Sequence, residues 1–132
     1  IIKRDRRELN EVIKRVSSTA DDARKSLEKL AQEDATLNLK NKGLPPGEMA
    51  TRESAAKAKG KELLHASGAD FEFKLLLTQA EALGYAERLA LVAAENEPRP
   101  GHAKVFANIS SQLKARHQEV LILLRSPAVP AR

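Results

Sequence analysis

The stretch Leu9–Leu30, LNEVIKRVSSTADDARKSLEKL, decides how the rest of the chain is read. Within it Leu9, Ile13, Val16, Ala20, Ala23, Leu27 and Leu30 follow one another at intervals of 4, 3, 4, 3, 4 and 3 residues. An α-helix turns once in about 3.6 residues, so this alternation gathers all seven on one narrow stripe, a heptad seam; a strand would scatter them over two faces. Arg6, Asn10, Lys14, Ser17, Arg24 and Lys25 fill the other positions and meet solvent. The seam predicts one long helix over residues 3–34, with a single stripe to bury.

Beyond it, Asn38, Asn41, Gly43, Pro45 and Pro46 make a linker. A sparse stripe of Met49, Ala56, Leu63 and Ala66, broken by Lys59 and Gly60, predicts a second helix over 48–66 that needs docking against neighbours. Ser67-Gly68-Ala69-Asp70 punctuates the chain: Gly68 suits the left-handed end of one helix and Asp70 the N-cap of the next. From there to residue 95 the third segment is apolar on most sides, with Lys74, Thr78, Glu81 and Arg88 as its polar stripe. Such a helix must touch at least two others. Glu97-Pro98-Arg99-Pro100-Gly101 stops it, and Phe106, Ile109, Leu113, Val120 and Leu124 then form the seam of a fourth helix over 101–125, with His117 in line. The expectation is an all-α fold, an antiparallel four-helix bundle, in one domain over residues 1–125. Ser126-Pro127-Ala128-Val129-Pro130-Ala131-Arg132 carries two prolines in seven residues and reads as an extended, proline-rich tail over 126–132.

Composition agrees. Of the 132 residues, 75 are Ala, Leu, Glu, Lys or Arg, while three Phe, one Tyr and no Trp leave little of what strands favour. The absence of Cys excludes disulfides, thiolate catalysis and Cys-ligated metal centres. The net charge of +5 is concentrated early, since residues 1–66 carry 15 basic and 11 acidic side chains and residues 67–132 carry 8 and 7. Lys3, Arg4, Arg6, Arg7, Lys14 and Arg15 could form the footprint of a basic helical nucleic-acid binder. However, Asp5, Glu8 and Glu11 dilute them and the aromatic residues lie elsewhere, so a solvated helix start with no nucleic-acid partner is the simpler reading. No run approaches the roughly eighteen apolar residues of a membrane span. The chain begins with Ile1, which reads as a removed leader or an excerpt of a longer chain.

The chemistry-bearing residues are few. Glu62-Leu63-Leu64-His65 matches once the Glu-x-x-His spacing that, on two helices of a ferritin-type bundle, holds a pair of metal ions. The second copy is missing, because His117 is followed by Glu119 at a spacing that sends the two side chains to different faces. Glu62, His65 and His117 are therefore weak metal candidates, with a solvated helix end as the plainer reading of the first two. His117, in a seam, needs a hydrogen-bond partner, and the acids in reach by pattern are Glu81, Glu87 or one on the first helix. A satisfied histidine at the core edge is the structural reading, a ligand or proton-linked site the functional one. His102 reads as a helix-start residue without a role. No nucleophile elbow is present, and six scattered glycines form no phosphate-cradling loop, so neither catalysis nor a cofactor is expected.

The order of the pieces carries a resemblance. Gly68-Ala69-Asp70-Phe71-Glu72-Phe73 opening an apolar helix, Ala103-Lys104-Val105-Phe106-Ala107, and Leu113-Lys114-Ala115-Arg116-His117 resemble a ferritin-like family of exported bacterial domains of unknown function, often labelled outer-membrane proteins. The long first helix and the Leu44-Pro45-Pro46 linker sit where that family has a long helix and a Leu-Pro loop. Family members usually carry histidines in the middle of the long and third helices; the matching positions here are Asp21 or Asp22 and Gly84 or Tyr85, so only His117 matches. The family usually also begins with one more helix. The resemblance implies a ferritin-like bundle of the periplasm or cell envelope. Together these readings give a non-enzymatic protein acting through an envelope partner or as a homo-oligomer, the alternatives being a metal-binding or redox ferritin-like protein and the basic nucleic-acid binder.

Overall fold

Proline and glycine punctuate the chain where backbone chemistry demands it. Pro46 and Pro100 each stand in the first turn of a helix, where an N–H would have no intrahelical acceptor and a fixed φ suits the helix. The computed structural model describes residues 6–37 and 45–126, which form α1 (Arg6–Glu33), α2 (Pro46–His65), α3 (Gly68–Asn96) and α4 (Pro100–Arg125), with no strand among them. The breaks at Asn38–Gly43 and the tail from Pro127 onward lie outside the described residues.

The α2–α3 reversal differs in detail from its expected form. Only Ala66 and Ser67 separate the helices, both extended, and Gly68 takes its positive φ of 57° as the first residue of α3 instead of as the end of α2. Asp70 then lies inside the first turn of α3, where its carboxylate pairs with Lys74 at 3.2 Å and does not cap the helix.

Side-chain pairs fix the helix directions. Arg6 of α1 meets Glu72 of α3 at 3.5 Å near both N-termini, so these two helices run parallel. Arg15 meets Glu119 at 3.2 Å while Asp34, just past α1, meets Arg99, just before α4, so α1 and α4 are antiparallel. Lys59 reaches Glu81 at 3.3 Å and sets α2 antiparallel to α3. The result is an all-α, up-down-up-down four-helix bundle.

The packing is uneven. The α3–α4 interface is the largest, α1 lies on α4, and α2 touches α3 alone. Leu76 and Val120, both 0% exposed, anchor a core completed by Leu83, Leu113, Leu123 and the α1 residues Leu9, Val12 and Val16. On α1 the buried stripe sits slightly to one side of the predicted seam: Val12 and Thr19 are buried and Ala20 is exposed. The sequence periodicity locates a stripe, and the one helix that α1 leans on selects which edge of it is covered. On α3 the expectation of two covering helices is met fully by α4 and only glancingly by α2. No residue of α2 is buried, and Leu64 stands 84% exposed.

At the end of the bundle where α1 and α4 meet, Asp34 accepts hydrogen bonds from the Thr36 hydroxyl at 2.7 Å and the Thr36 backbone N–H at 2.9 Å. Arg99 bridges Asp34 and Glu97, donating from Nε to Glu97 at 2.8 Å. Thr36, with Arg99 behind it, holds the Asp34 carboxyl down from its ordinary 3.8 to about 2. Arg99 likewise lowers Glu97.

Two outcomes follow from this packing. Truncating Leu76→Ala should cost about 2–5 kcal/mol in chemical denaturation, whereas Leu64→Ala should change stability by less than roughly 0.5 kcal/mol. A carboxyl held below its ordinary pKa stabilises the fold above that value and stops doing so as the pH falls toward the lowered one. Thermal stability should therefore drop between pH 3.8 and about 2, and Asp34→Asn should flatten part of that drop.

Candidate functional site

Of the residues singled out in the sequence, His117 has the most developed surroundings. Its Nδ1 lies 3.2 Å from Glu87 Oε2, which selects Glu87 from the acids in reach by pattern. A carboxylate accepts, so Nδ1 carries the hydrogen. The adjoining Cε1–Nε2 edge of the ring lies against Gly84: a Cβ built there would stand 3.0 Å from His117 Cε1 and 3.3 Å from Nε2. One turn along, Ser110 donates its hydroxyl to the Glu87 carbonyl at 3.0 Å. Gly84 and Glu87 on α3, with Ser110 and His117 on α4, thus form a polar clasp inside the largest helix interface.

This arrangement is built for packing. His117 spends Nδ1 on Glu87, and its ring occupies the space beside Gly84 that a side chain would take. Ser110, the nearby hydroxyl, is buried and engaged with a carbonyl. Glu62 and His65 are both exposed on the last turns of α2 and are not brought to His117. His65 lies near the start of α3, and Gly84 stands sixteen residues beyond Gly68, roughly 24 Å along the helix at 1.5 Å per residue. Among the described residues no three His, Asp or Glu side chains gather in a way that could hold a metal ion. His102 lies in the first turn of α4, with its Nδ1 buried and without a hydrogen-bond partner. Of the early basic residues, Arg6 and Arg15 are solvent-exposed and pair with Glu72 and Glu119. No helix among the described residues is long and apolar enough to cross a membrane.

A second feature was not expected from the sequence. The parallel helices α1 and α3 do not approach closely, and between them lies an open groove of about 660 Å³ floored by α4. Ala23 and Leu27 form one wall, Ala86 and Ala90 the other, and Ile109 and Leu113 the floor. Arg24 and Glu28 at its margin bond to each other at 2.8 Å. The volume is that of a ligand or helix-docking cleft, and its lining is apolar apart from Arg24 and Glu28, which are paired with each other. The signal for it was present in the alanines of α1 and α3, but small residues equally permit close helix contact, and only the placement of α2 decides between the two.

Replacing Gly84 with Ala should destabilise the fold by about 1–3 kcal/mol through the contact with His117, against a gain of roughly 1 kcal/mol in helix propensity. In a double-mutant cycle with His117→Ala that penalty should disappear, giving a coupling above about 0.5 kcal/mol; additive effects would contradict the clasp. In comparison with known proteins, no family model, curated protein or solved structure matches this chain.

Proposed function

We propose that this chain is a non-enzymatic helical-bundle protein of the bacterial cell envelope that acts by associating with a partner or with a second copy of itself. The observation that carries the reading is the apolar surface that α3 leaves in water. Tyr85, Leu89 and Val92 follow at spacings of 4 and 3 and so share one side of the helix, and they are 57%, 57% and 46% exposed. Exposed apolar patches framed by charge, here Glu81 and Arg88, mark interaction surfaces more often than they mark catalytic ones. The use of His117 as a packing element supports a non-enzymatic role, since its Nδ1 is taken up by Glu87 and its ring fills the space beside Gly84. Envelope placement rests on the resemblance carried by Gly68–Phe73, Ala103–Ala107 and Leu113–His117.

Sedimentation velocity over a concentration series tests the reading. The wild-type chain should associate, or retain an envelope protein in a pull-down, and Leu89→Glu should weaken that association roughly tenfold or more, about 1.4 kcal/mol, with helical content unchanged. A wild-type chain that stays monomeric throughout and retains no envelope protein contradicts it.

A further inference from the structure

We propose that α2 is a mobile strap that folds into the groove between α1 and α3 and so closes the bundle. This goes beyond the association reading and does not depend on it. Three observations converge. The groove is open, apolar and flanked by two parallel helices, and no residue of α2 lines it. An up-down-up-down chain places its second helix antiparallel to its first and third, and α2 already runs antiparallel to α3. In the groove it would be antiparallel to both walls.

α2 is also the helix with least to lose by moving. It has no buried residue, Met49 and Leu63 are only half-covered, and its polar ties to α3 are the exposed Lys59–Glu81 pair and the Arg52 guanidinium 5.9 Å from the Tyr85 ring centre. Water screens both interactions. Met49, Ala56, Gly60 and Leu63 lie along one side of α2, and the alanine walls of the groove leave room for that side to approach closely.

The tethers permit the movement. Ala66 and Ser67 are extended and lie outside both helices, so rotation there swings α2 around α3 while the helical hydrogen bonds within α2 and α3 persist. At the other end, residues 34–45 can span up to roughly 40 Å, well beyond the 8–10 Å between packed helix axes. Closure would cover Leu89 and uncover Tyr85, exchanging one apolar surface of α3 for another.

Because the chain has no Cys, introduced pairs are its only thiols. With the register set by Lys59–Glu81 and Arg6–Glu72, Met49 entering the groove comes level with Lys25, and Ala23, about 3 Å along the helix from that level, is the nearby α1 residue that lines the groove. α1 and α2 do not approach one another in the structure, so a disulfide between them requires the strap to move. Under mild oxidation the Ala23→Cys, Met49→Cys chain should convert almost completely to an internally crosslinked monomer. Lys25→Cys with Met49→Cys, whose first thiol lies on the outer side of α1, should stay reduced. A second pair at exposed positions, Ala20→Cys with Glu53→Cys, should crosslink like the first and covers the case in which the Met49 change disturbs folding. Both groove pairs remaining reduced in folded protein would overturn the proposal, as would crosslinking that yields only dimers or crosslinking of the control at the same rate.

Discussion

The close approach of α3 and α4 at Gly84 and His117 is the constraint from which the other placements follow. The missing side chain at Gly84 leaves room for an imidazole from α4 to approach α3, where its Nδ1 pairs with Glu87 while Ser110 bonds the Glu87 carbonyl. Above and below the clasp, Leu76, Leu83, Leu113 and Val120 close an apolar interface. A polar pair in such a position discriminates between registers: sliding one helix by a turn would set the histidine against a side chain and leave Glu87 without its partner.

With that hairpin fixed, α1 and α2 are attached on unequal terms. α1 buries Leu9, Val12 and Val16 against the hairpin and is joined to it by Arg15–Glu119 along its length and by the Asp34–Arg99–Glu97 cluster just past its C-terminus. α2 has one short turn to α3 and a screened ion pair. The difference originates in the sequence, since α1 carries a continuous stripe while lysines and a glycine interrupt that of α2. The groove between α1 and α3 is the space left by a fourth helix that stands beside the other three instead of among them, and the same displacement leaves apolar side chains of α3 in water.

Much of this could be read from residue order. The four helices, the breaks near Pro45, Ser67 and Pro98, the seam of α4 and the need of His117 for a hydrogen-bond partner all follow from periodicity and local backbone chemistry, while the choice of Glu87 among the acids in reach comes from the structure. What periodicity withholds is which side of a stripe a neighbour covers. Val12 and Thr19 are buried on α1 for that reason, and on α3 the polar stripe with Glu81 and Arg88 pointed to the open side but not to Tyr85, Leu89 and Val92 staying in water along it. Gly84 is the sharpest case. Read locally it is a weak point in a helix, and its use depends on a histidine 33 residues away whose alignment only the assembled hairpin sets. The Glu62 and His65 spacing shows the converse, since a short match acquires chemical meaning only when a second helix brings the remaining ligands.

Native-state hydrogen exchange resolved along the chain tests the primacy of the α3–α4 hairpin most directly. Amides around Gly84–Glu87 and Ser110–His117 should exchange only through global unfolding, with the full denaturant dependence of the whole protein, while those of α1 open at lower free energy. If α1 proved the most protected helix and the amides around Gly84 and His117 exchanged by local opening, the hairpin could not be the element on which the fold depends.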